Sequence, residues 1–346
     1  MKKLEFKNIK RKAVDVRSET AISLEFLENN ATLPLIIKPA IANLDLAEWT
    51  CANRDFIDAK LLKHGAILLR DFQITTAPVF ERFGLAICSE LFNENGEHPR
   101  ETVSGNVYTP VFYPSDRKLL WHNENSFNHF FPQKILFACR QPAQEGGETP
   151  IVDSRKVFEL LNPKIKKLFL KKKVMYLRNY SDRLGLNWQK VFQTNNKAEV
   201  ETRCRQAFID FDWRENRLRT RSIRPAAVKH PKTGEMTWFT QAQHWHPACL
   251  DEQTRQLFKS SFQAEDLPRN CYYGDGTFIE DSVMEEICNI YQQLEVTFSW
   301  KKGDVLVLDN LLTAHGRNPF VGERQLLVAM GDMMSFADIE DLGEGK

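Results

Sequence analysis

The chain has no apolar run that approaches the roughly eighteen residues of a membrane-spanning helix. Its start, Met1-Lys2-Lys3, is followed by Leu4-Glu5-Phe6-Lys7 and lacks the apolar stretch of a signal peptide. Neither sign of charge dominates, because 47 Lys and Arg residues stand against 46 Asp and Glu residues and give a net charge of +1. We therefore expect a cytoplasmic protein with no global attraction to nucleic acid or to a membrane surface.

Cysteine is scarce and follows no binding pattern. The seven cysteines are an odd number, are widely scattered and form no Cys-x-x-Cys pair. This distribution argues against a disulfide framework and against a thiolate metal site. We expect all of them to be reduced thiols, namely Cys51, Cys88, Cys139, Cys204, Cys249, Cys271 and Cys288.

Internal repeats and low-complexity segments are also absent. Hydrophobic residues make up 42% and charged residues 27% of the 346 residues, which are ordinary values for a globular protein. A chain of this length and composition can bury a substantial core. We expect residues 1–346 to form a single domain.

Apolar patterns predict strands toward both ends of the chain. Helical spacing over residues 45–63 precedes the apolar run 66–69, which predicts a buried strand. Near the other end, residues 296–300, 305–308 and 325–330 each have the composition of a strand.

The middle of the chain carries most of the predicted helices. Residues 157–293 contain several helical patterns, one of them capped by Asp251, and a hairpin around the turn at residues 230–234. Strands at both ends with helices between them favour a mainly β protein of the α+β class. The expected core is a double-stranded β-helix, a cupin-like jelly roll, with residues 157–293 as a largely helical insertion or lid between its two halves.

The sharpest chemical feature is Trp121-His122-Asn123-Glu124. If this segment is extended, period-two alternation places His122 and Glu124 on the same face, where an imidazole nitrogen and a carboxylate oxygen can bind one divalent metal. About one such His-x-acid pattern is expected by chance in a chain of this composition. A surface histidine beside a solvated glutamate is therefore the simpler interpretation of this pair taken alone.

A second histidine in a matching setting strengthens the metal hypothesis. His315 follows a predicted strand that stops at the polar pair Asp309-Asn310, where a jelly-roll strand would reach the mouth of the barrel. Two histidines and one carboxylate form the facial triad of non-haem Fe(II) oxygenases, which leaves coordination positions open. We predict His122, Glu124 and His315 as the metal ligands and the catalytic centre.

A chelating co-substrate would need an anchor for its far carboxylate, and a guanidinium can bind a carboxylate in bidentate geometry. Arg324, nine residues after His315, is the first candidate, and Arg317 is nearer in sequence but expected on a loop. Thr149 could add a hydroxyl donor. An isolated Arg or Thr is more often a surface residue, so these predictions depend on position relative to the triad.

Together these segments resemble the taurine dioxygenase (TauD/TfdA) family of Fe(II)/2-oxoglutarate oxygenases, and most of all its clavaminate synthase-like and SyrP-like branch. The resemblance covers roughly residues 65–330. It is carried by Leu120-Trp121-His122-Asn123-Glu124-Asn125-Ser126-Phe127, Pro132-Gln133-Lys134, Gly146-Gly147-Glu148-Thr149-Pro150, and Asp309-Asn310 through His315 to Arg324.

The resemblance implies a dioxygenase with Fe(II) bound by His122, Glu124 and His315. It also implies that Arg324 and Thr149 hold the distal carboxylate of the co-substrate, 2-oxoglutarate. Asn125 and Ser126, adjacent to the ligand strand, could contact the substrate.

Two departures from the taurine-cleaving members bear on the substrate. Glu124 stands where those members use Asp, and Val328 stands where they place a sulfonate-binding Arg, so taurine is disfavoured. The carboxylate at position 124 also argues against halogenation. The resemblance implies hydroxylation of an unactivated C–H bond of an amino acid or amino-acid derivative, free or carrier-tethered, in specialised metabolism.

Several alternatives stay open at this point. The same family includes desaturases and cyclases, the same triad could hold zinc for hydrolysis or isomerisation, and a jelly roll can be a catalytically silent binding protein. Homo-oligomer formation is also left open.

Two other patterns each allow a structural and a functional interpretation. Gln243-His244-Trp245-His246 offers two histidines, but without a nearby carboxylate and with Pro247 following, packing or pocket lining is favoured over a metal role. Arg217, Arg219 and Arg221 would share one side of an extended segment. A solvated strand face is the simplest interpretation, and docking of an acidic carrier protein is the functional one.

Overall fold

A computed structural model describes residues 21–28, 31–92, 101–181 and 185–340, so the residues at the start of the chain considered above lie outside it. The strands of the described part are β1 (Ile22–Glu25), β2 (Leu35–Pro39), β3 (Ala66–Leu69), β4 (Thr102–Ser104), β5 (Val107–Tyr108), β6 (Leu119–His122), β7 (Phe130–Gln141), β8 (Glu145–Gly146), β9 (Ile151–Asp153), β10 (Val174–Tyr180), β11 (Asp210–Arg214), β12 (Arg217–Arg224), β13 (Ala227–Lys229), β14 (Met236–Trp238), β15 (Arg269–Tyr273), β16 (Val305–Asp309), β17 (Thr313–Arg317), β18 (Phe320–Val321) and β19 (Gln325–Ser335). The α-helices are α1 (Leu46–Ala52), α2 (Arg54–His64), α3 (Ala77–Ile87), α4 (Ser154–Leu160), α5 (Pro163–Lys172), α6 (Trp188–Phe192), α7 (Lys197–Gln206), α8 (Ala242–Trp245), α9 (Glu252–Ser261), α10 (Asp281–Leu294) and α11 (Phe336–Glu340).

The larger face of the jelly roll is an eight-stranded sheet in the order β1-β2-β3-β16-β7-β19-β5-β4. Its centre joins distant parts of the chain, because β16 pairs antiparallel with both β3 and β7. The smaller face is the three-stranded sheet β6-β17-β9. A short pair, β18-β8, adjoins it in sequence, because β18 follows β17 and β8 precedes β9. The predicted jelly-roll core of an α+β protein is confirmed.

The central strands are apolar where they pair with one another, because both faces of the sheet are buried there. One set of alternating side chains packs against the helices α1 to α3: Ile67, Leu69, Leu136, Ala138, Val305, Val307, Leu327 and Ala329. The other set faces the interior of the jelly roll, together with Phe298 and Trp300: Ala66, Leu68, Ile135, Phe137, Leu306, Leu308, Leu326 and Val328. Two cores on one sheet explain why these segments show apolar runs without alternation.

Most predicted elements near the chain ends are present, with two differences. The helix predicted over 45–63 is two helices, because Asn53 ends α1 with its side-chain amide donating to the Trp49 carbonyl at 2.8 Å. The strand predicted at residues 296–300 is wrong, since only Val296 forms a bridge, to Ile151. Its apolar composition instead reflects Phe298 and Trp300, which are buried inside the jelly roll.

Residues 157–293 contain the helices α5 to α10 and also a four-stranded sheet, β11-β12-β10-β15. The predicted hairpin is confirmed as β13 and β14, and Asp251 caps α9 by accepting a hydrogen bond from the Thr254 amide. The solvated face expected for Arg217, Arg219 and Arg221 is wrong at its centre. Arg219 is buried and forms an ion pair with Asp266 at 2.8 Å, because it lies beneath the chain that precedes β15.

In the ranges described, no helix is both long and apolar enough to span a bilayer.

Candidate metal centre and co-substrate pocket

The register of the smaller sheet brings the two predicted histidine ligands together. His122 ends β6 and His315 lies in β17, and the two residues are direct partners in this antiparallel pair. Side chains of directly opposed residues project from the same face of a sheet and lie within contact distance. The two imidazole centroids are accordingly 4.3 Å apart.

Glu124 reaches the same point by a different route from the one that alternation predicts. The strand β6 stops at His122, and Glu124 belongs to the turn that follows, in which Asn125 has a left-handed φ of 57°. Asparagine tolerates this conformation better than most residues. The condition of an extended segment through Glu124 is therefore not met, although the two side chains still meet.

The three side chains present one ligand atom each to a common space. The Glu124 Oε2 atom lies 3.6 Å from Nε2 of His122 and 3.9 Å from Nε2 of His315. All three ligand atoms lie within 4.8 Å of one another, and the described part of the chain contains no other such group of three. Two imidazoles and one carboxylate on one side of a cavity suit a divalent transition metal.

Hydrogen bonding leaves the correct nitrogen of His122 available. The Nδ1 atom of His122 lies 3.0 Å from the Leu120 carbonyl oxygen, which can only accept, so Nδ1 carries the proton. The Nε2 atom then keeps a lone pair, and it is the nitrogen nearer to Glu124. Bonding of one ring nitrogen to a carbonyl is a common way of orienting a metal-binding histidine.

The backbone of Glu124 is clamped by Asn310, a fully buried residue in the loop after β16. The Asn310 Oδ1 atom accepts from the Glu124 amide at 2.7 Å, and Nδ2 donates to the Glu124 carbonyl at 3.0 Å and to the Pro132 carbonyl at 2.8 Å. In the sequence, Asn310 marks the polar end of a predicted strand and belongs to one of the family-like segments, but neither feature predicts a contact with Glu124. Its role in holding Glu124 depends on a contact 186 residues away in sequence.

Replacing Asn310 by Ala should loosen Glu124 without removing any of the three converging side chains. Three buried hydrogen bonds are lost and their backbone partners are left unsatisfied, so we expect a loss of about 2–4 kcal/mol in the free energy of unfolding. We also expect metal affinity to fall about 10–100-fold. Denaturant unfolding and Mn(II) titration measure the two effects.

Asn318→Ala is a matched control for Asn310→Ala. The Asn318 side-chain amide donates to the Glu148 carboxylate at 3.1 Å, and Asn318 is not part of the triad. Its removal should leave metal affinity unchanged. Equal affinities in the Asn310→Ala variant and the wild type would show that the clamp does not position Glu124.

The outer edge of β6 is covered by side chains from the segment that contains α8. Gln241 donates to the Asn123 carbonyl at 2.9 Å, Gln243 donates to the Trp121 carbonyl, and His244 Nε2 donates to the Leu120 carbonyl at 2.7 Å. These contacts satisfy carbonyl groups that a further strand would otherwise bind. The ligand-bearing strand is thus held by β17 on one edge and by this segment on the other.

This arrangement shows what each of the two histidines in the segment 243–246 contacts. His244 lines the cavity and its ring centroid lies 4.5 Å from that of His122, whereas His246 donates to the Ile279 carbonyl at 3.0 Å. The two imidazoles therefore have separate partners, and the interpretation as pocket lining and packing is confirmed. No group of three metal-binding side chains among the described residues includes either histidine.

The buried histidines make stability sensitive to acid. Burial lowers the pKa of His246, and burial lowers the pKa of His244 to about 3. A histidine whose folded pKa is below its unfolded value of about 6.5 contributes its full stability above that pH and loses it as the pH falls toward the folded pKa. We expect Tm to fall between pH 6.5 and about 5, where most carboxylates remain ionised.

A His246→Asn variant should show a flatter decline of Tm over this interval, measured by thermal unfolding at several pH values. Asn162→Ala is the control, because it removes an uncharged cap of α5 and should lower Tm by the same amount at each pH. An identical slope for His246→Asn and the wild type would contradict the assignment.

The triad opens into a cavity of about 1690 Å³, and Arg324 and Thr149 line the same cavity. Thr149 is almost fully buried, and its Oγ1 atom lies 3.5 Å from Nη2 of Arg324. Arg324 also donates from Nε to the Gly147 carbonyl at 2.8 Å, which fixes the direction of its guanidinium. The cavity is larger than the 300–1,000 Å³ of many small-molecule sites, so it has room for a co-substrate and a substrate.

The electrostatic environment of Arg324 favours binding of an anion. Burial lowers the pKa of Arg324 to about 10, and the positive charge of Arg317 acts in the same direction. A partly desolvated guanidinium gains more from a carboxylate than an exposed one does. Arg324 and Thr149 thus supply a cation and a hydroxyl side by side at one wall of the cavity.

Arg317 uses its guanidinium to hold a neighbouring segment. The sequence predicts a loop at this position, but Arg317 is the last residue of β17. Its Nη1 atom donates to the Tyr113 carbonyl at 2.9 Å, and its Nη2 atom donates to the carbonyls of Pro114 and Arg117. Arg317 also lines the cavity, but both of its terminal nitrogens donate to the segment 109–118, and only its Nε atom is left without a hydrogen-bond partner among the described residues.

The two residues suggested for substrate contact differ in their positions. Asn125 lines the cavity. Ser126 is fully buried and is not part of the cavity wall, so a substrate contact by Ser126 stays a prediction that this position does not support. The turn after Glu124 explains this, because the Ser126 amide donates back to the Asn123 carbonyl at 3.3 Å and the chain leaves the cavity there.

A jelly roll with two histidines, one carboxylate and a buried arginine around one cavity defines the class of Fe(II)- and 2-oxoglutarate-dependent dioxygenases. Comparison with known proteins agrees with that class. Residues 30–330 match the family described as taurine catabolism dioxygenase TauD, TfdA family. The chain belongs to this family, and it is a dioxygenase that uses Fe(II) and 2-oxoglutarate.

Two curated relatives cover most of the chain. The dapdiamide synthesis protein DdaC of Enterobacter agglomerans is 38% identical over 279 residues, which are 80% of this chain and 84% of that protein. A clavaminate synthase-like protein of Arabidopsis thaliana is 26% identical over 335 residues, which are 90% of this chain and 97% of that protein.

Solved structures share the fold at low sequence identity. PvcB of Pseudomonas aeruginosa has a TM-score of 0.54 and 14% identity, and the match covers 90% of this chain and 92% of that one. PvcB is described as an Fe, alpha-ketoglutarate dependent oxygenase from an isonitrile synthetic pathway. AAD-2, crystallised with Mn(II) and N-oxalylglycine, has a TM-score of 0.51 and 13% identity, covering 90% of this chain and 96% of that one.

Proposed function

We propose that this dioxygenase hydroxylates an unactivated C–H bond of an amino acid or amino-acid derivative, free or carrier-tethered, in specialised metabolism. The observation that carries the proposal is the convergence of His122, Glu124 and His315 in one cavity with Arg324 and Thr149. The relative named for dapdiamide synthesis and the structural neighbour from an isonitrile pathway support a role in specialised metabolism.

In this proposal Nε2 of His122, Nε2 of His315 and the Glu124 carboxylate hold the iron. Bound Fe(II) together with 2-oxoglutarate supplies the oxygen activation that C–H oxidation requires. The protein contributes ligand geometry, which Asn310 maintains for Glu124, and the tautomer of His122, which the Leu120 carbonyl maintains. Both supports lie in the sheet or in its adjoining turns.

Arg324 and Thr149 bind the distal carboxylate of 2-oxoglutarate. The Trp300 indole donates to Thr149 Oγ1 at 3.1 Å, so one lone pair of the hydroxyl is already used. The hydroxyl hydrogen of Thr149 is then available to a carboxylate oxygen, and the guanidinium of Arg324 supplies the charge. Trp300 therefore positions the Thr149 hydroxyl.

Part of the wall near the triad is apolar, which favours a low local dielectric. The Phe137 ring centroid lies 5.1 Å from that of His315, and Phe127, Ile135 and Val328 line the cavity. A low dielectric strengthens the interactions of the few polar groups that remain. An uncharged Val328 on this wall does not suit a sulfonate, which supports a substrate other than taurine.

We also propose that residues 1–346 act as one oxygenase domain in which residues 157–293 form a lid. The insertion supplies cavity-lining residues from several of its elements, among them Arg178, Gln241, Cys249 and Arg269. The core supplies the triad and the arginine anchor. A site built from both parts supports a single functional unit.

Screening of amino acids and their derivatives for substrate-triggered succinate release tests this function. Each candidate is supplied free and as a carrier-protein thioester, with Fe(II), 2-oxoglutarate and oxygen, and products are weighed by mass spectrometry. We expect one candidate to stimulate succinate release and to gain the mass of one oxygen atom.

The His122→Ala variant is the control for release that does not depend on the site. A product lighter than the substrate by two hydrogen atoms would indicate desaturation or ring closure instead of hydroxylation. Stimulation only by compounds that are not amino-acid derivatives would overturn the proposed substrate class.

A further inference from the structure

Two cysteines that are 39 residues apart in sequence meet beside the cavity. The Sγ atom of Cys249 lies 3.7 Å from the Sγ atom of Cys288. Cys249 ends the short 3₁₀ turn Pro247–Cys249 and lines the cavity, whereas Cys288 lies on α10. Both are half-buried free thiols, and the other five cysteines make no sulfur–sulfur contact of this kind in the part of the chain described.

The contact makes the two thiols chemically unequal. A hydrogen bond from the Cys249 thiol lowers the pKa of Cys288, and the same bond, together with burial, raises the pKa of Cys249. A thiolate is the reactive form of cysteine toward oxidants, and a second thiol nearby can resolve the oxidised product. The geometry therefore provides an attacking sulfur and a resolving sulfur in one contact.

We propose that Cys249 and Cys288 form a peroxide-sensitive dithiol that closes reversibly into a disulfide. The Cys288 thiolate attacks hydrogen peroxide, the O–O bond breaks, and a sulfenic acid and one water form after proton transfer. The Cys249 sulfur then attacks the sulfenic sulfur, the S–S bond forms, and a second water leaves. Two electrons and two protons pass in total from the two thiols to one peroxide molecule.

The position of the pair connects it to the metal centre. The segment that ends at Cys249 holds β6 through Gln241, Gln243 and His244. The helix that carries Cys288 contacts the same strand, because Tyr291 stacks on Trp121 with ring centroids 5.5 Å apart and planes 6° from parallel. A disulfide would join these two supports of the ligand-bearing strand, and this inference is independent of the proposed substrate.

Peptide mapping of the full-length protein tests the proposal. The protein, without added iron, is treated with hydrogen peroxide or with diamide, alkylated, digested and examined by mass spectrometry. We expect two thiols to be lost under denaturing titration, a peptide linking Cys249 to Cys288 to appear, and dithiothreitol to reverse both changes. Tm should rise by a few degrees, because the closed loop restricts the unfolded chain.

Cys51→Ser is the matched control, since Cys51 is exposed and the variant should retain the full response. Cys288→Ser should form no linked peptide. The proposal is overturned if the oxidised wild type contains no Cys249–Cys288 peptide, or if Cys288→Ser loses the same two thiols. Mapping of the wild type decides the question even if a variant does not fold.

Discussion

Replacing His122 by Ala is expected to abolish the visible charge-transfer band that anaerobic Fe(II) and 2-oxoglutarate give with the wild type, and to reduce succinate release to background. Removal of a partner that only orients a metal ligand lowers metal affinity by about 10–100-fold. Loss of a ligand itself should therefore lower metal affinity further. The remaining His315 and Glu124 would present only two ligand atoms. Absorption spectroscopy and Fe(II) titration under anaerobic conditions measure the effect.

His129→Ala is the matched control for His122→Ala. Its ring packs against Phe130 and Phe208, with centroids 4.6 and 4.7 Å away, and it does not line the cavity. This variant should keep the band and the activity. An unchanged spectrum in the His122→Ala variant would remove His122 from the ligand set and, with it, the basis of the proposed site.

Replacing Arg324 by Ala should raise the concentration of 2-oxoglutarate needed for half-maximal activity by about 30-fold or more. Truncating one partner of a buried guanidinium–carboxylate pair costs about 2–5 kcal/mol, and each 1.4 kcal/mol, roughly, is a factor of ten. The triad is untouched, so the charge-transfer band should reappear at saturating 2-oxoglutarate. Titration of the band with 2-oxoglutarate separates binding from turnover.

Two further variants decide whether Arg324 or Arg317 is the anchor. Arg324→Lys keeps the charge but loses the planar fork, so it should be intermediate. Arg317→Ala should leave 2-oxoglutarate binding near its wild-type value, because Arg317 donates to carbonyls of the segment 109–118. The opposite ranking, with Arg317→Ala more impaired than Arg324→Ala, would move the anchor to Arg317.

The zinc hydrolase and the silent binding protein considered from sequence are now disfavoured. Neither has a use for a buried arginine beside Thr149 in the cavity that contains the triad. Membership of a dioxygenase family over residues 30–330 agrees with this conclusion. The choice between hydroxylation, desaturation and ring closure depends on where the substrate sits, which the product masses described above would report.

The sequence was informative about the site because its key residues lie in short, ordered patterns. His122 and Glu124 are two residues apart, and His315 follows a strand that ends at a polar pair. The residues that hold this site in place were not predictable in the same way. Asn310, Gln241 and Trp300 act through contacts with residues more than a hundred positions away, and local composition contains no signal for such contacts.

By itself, the sequence determined the jelly-roll class. It also predicted three metal ligands and an arginine and threonine anchor, and the structure brings these five residues to one cavity. Only the tertiary structure decided that Glu124 lies on a turn, that Arg317 holds a loop, that Ser126 leaves the cavity, and that Cys249 meets Cys288. The physical reason is the distance along the sequence over which each property acts. Apolar periodicity and metal-ligand chemistry are properties of neighbouring residues, whereas strand register and side-chain contacts arise only when distant segments pack together.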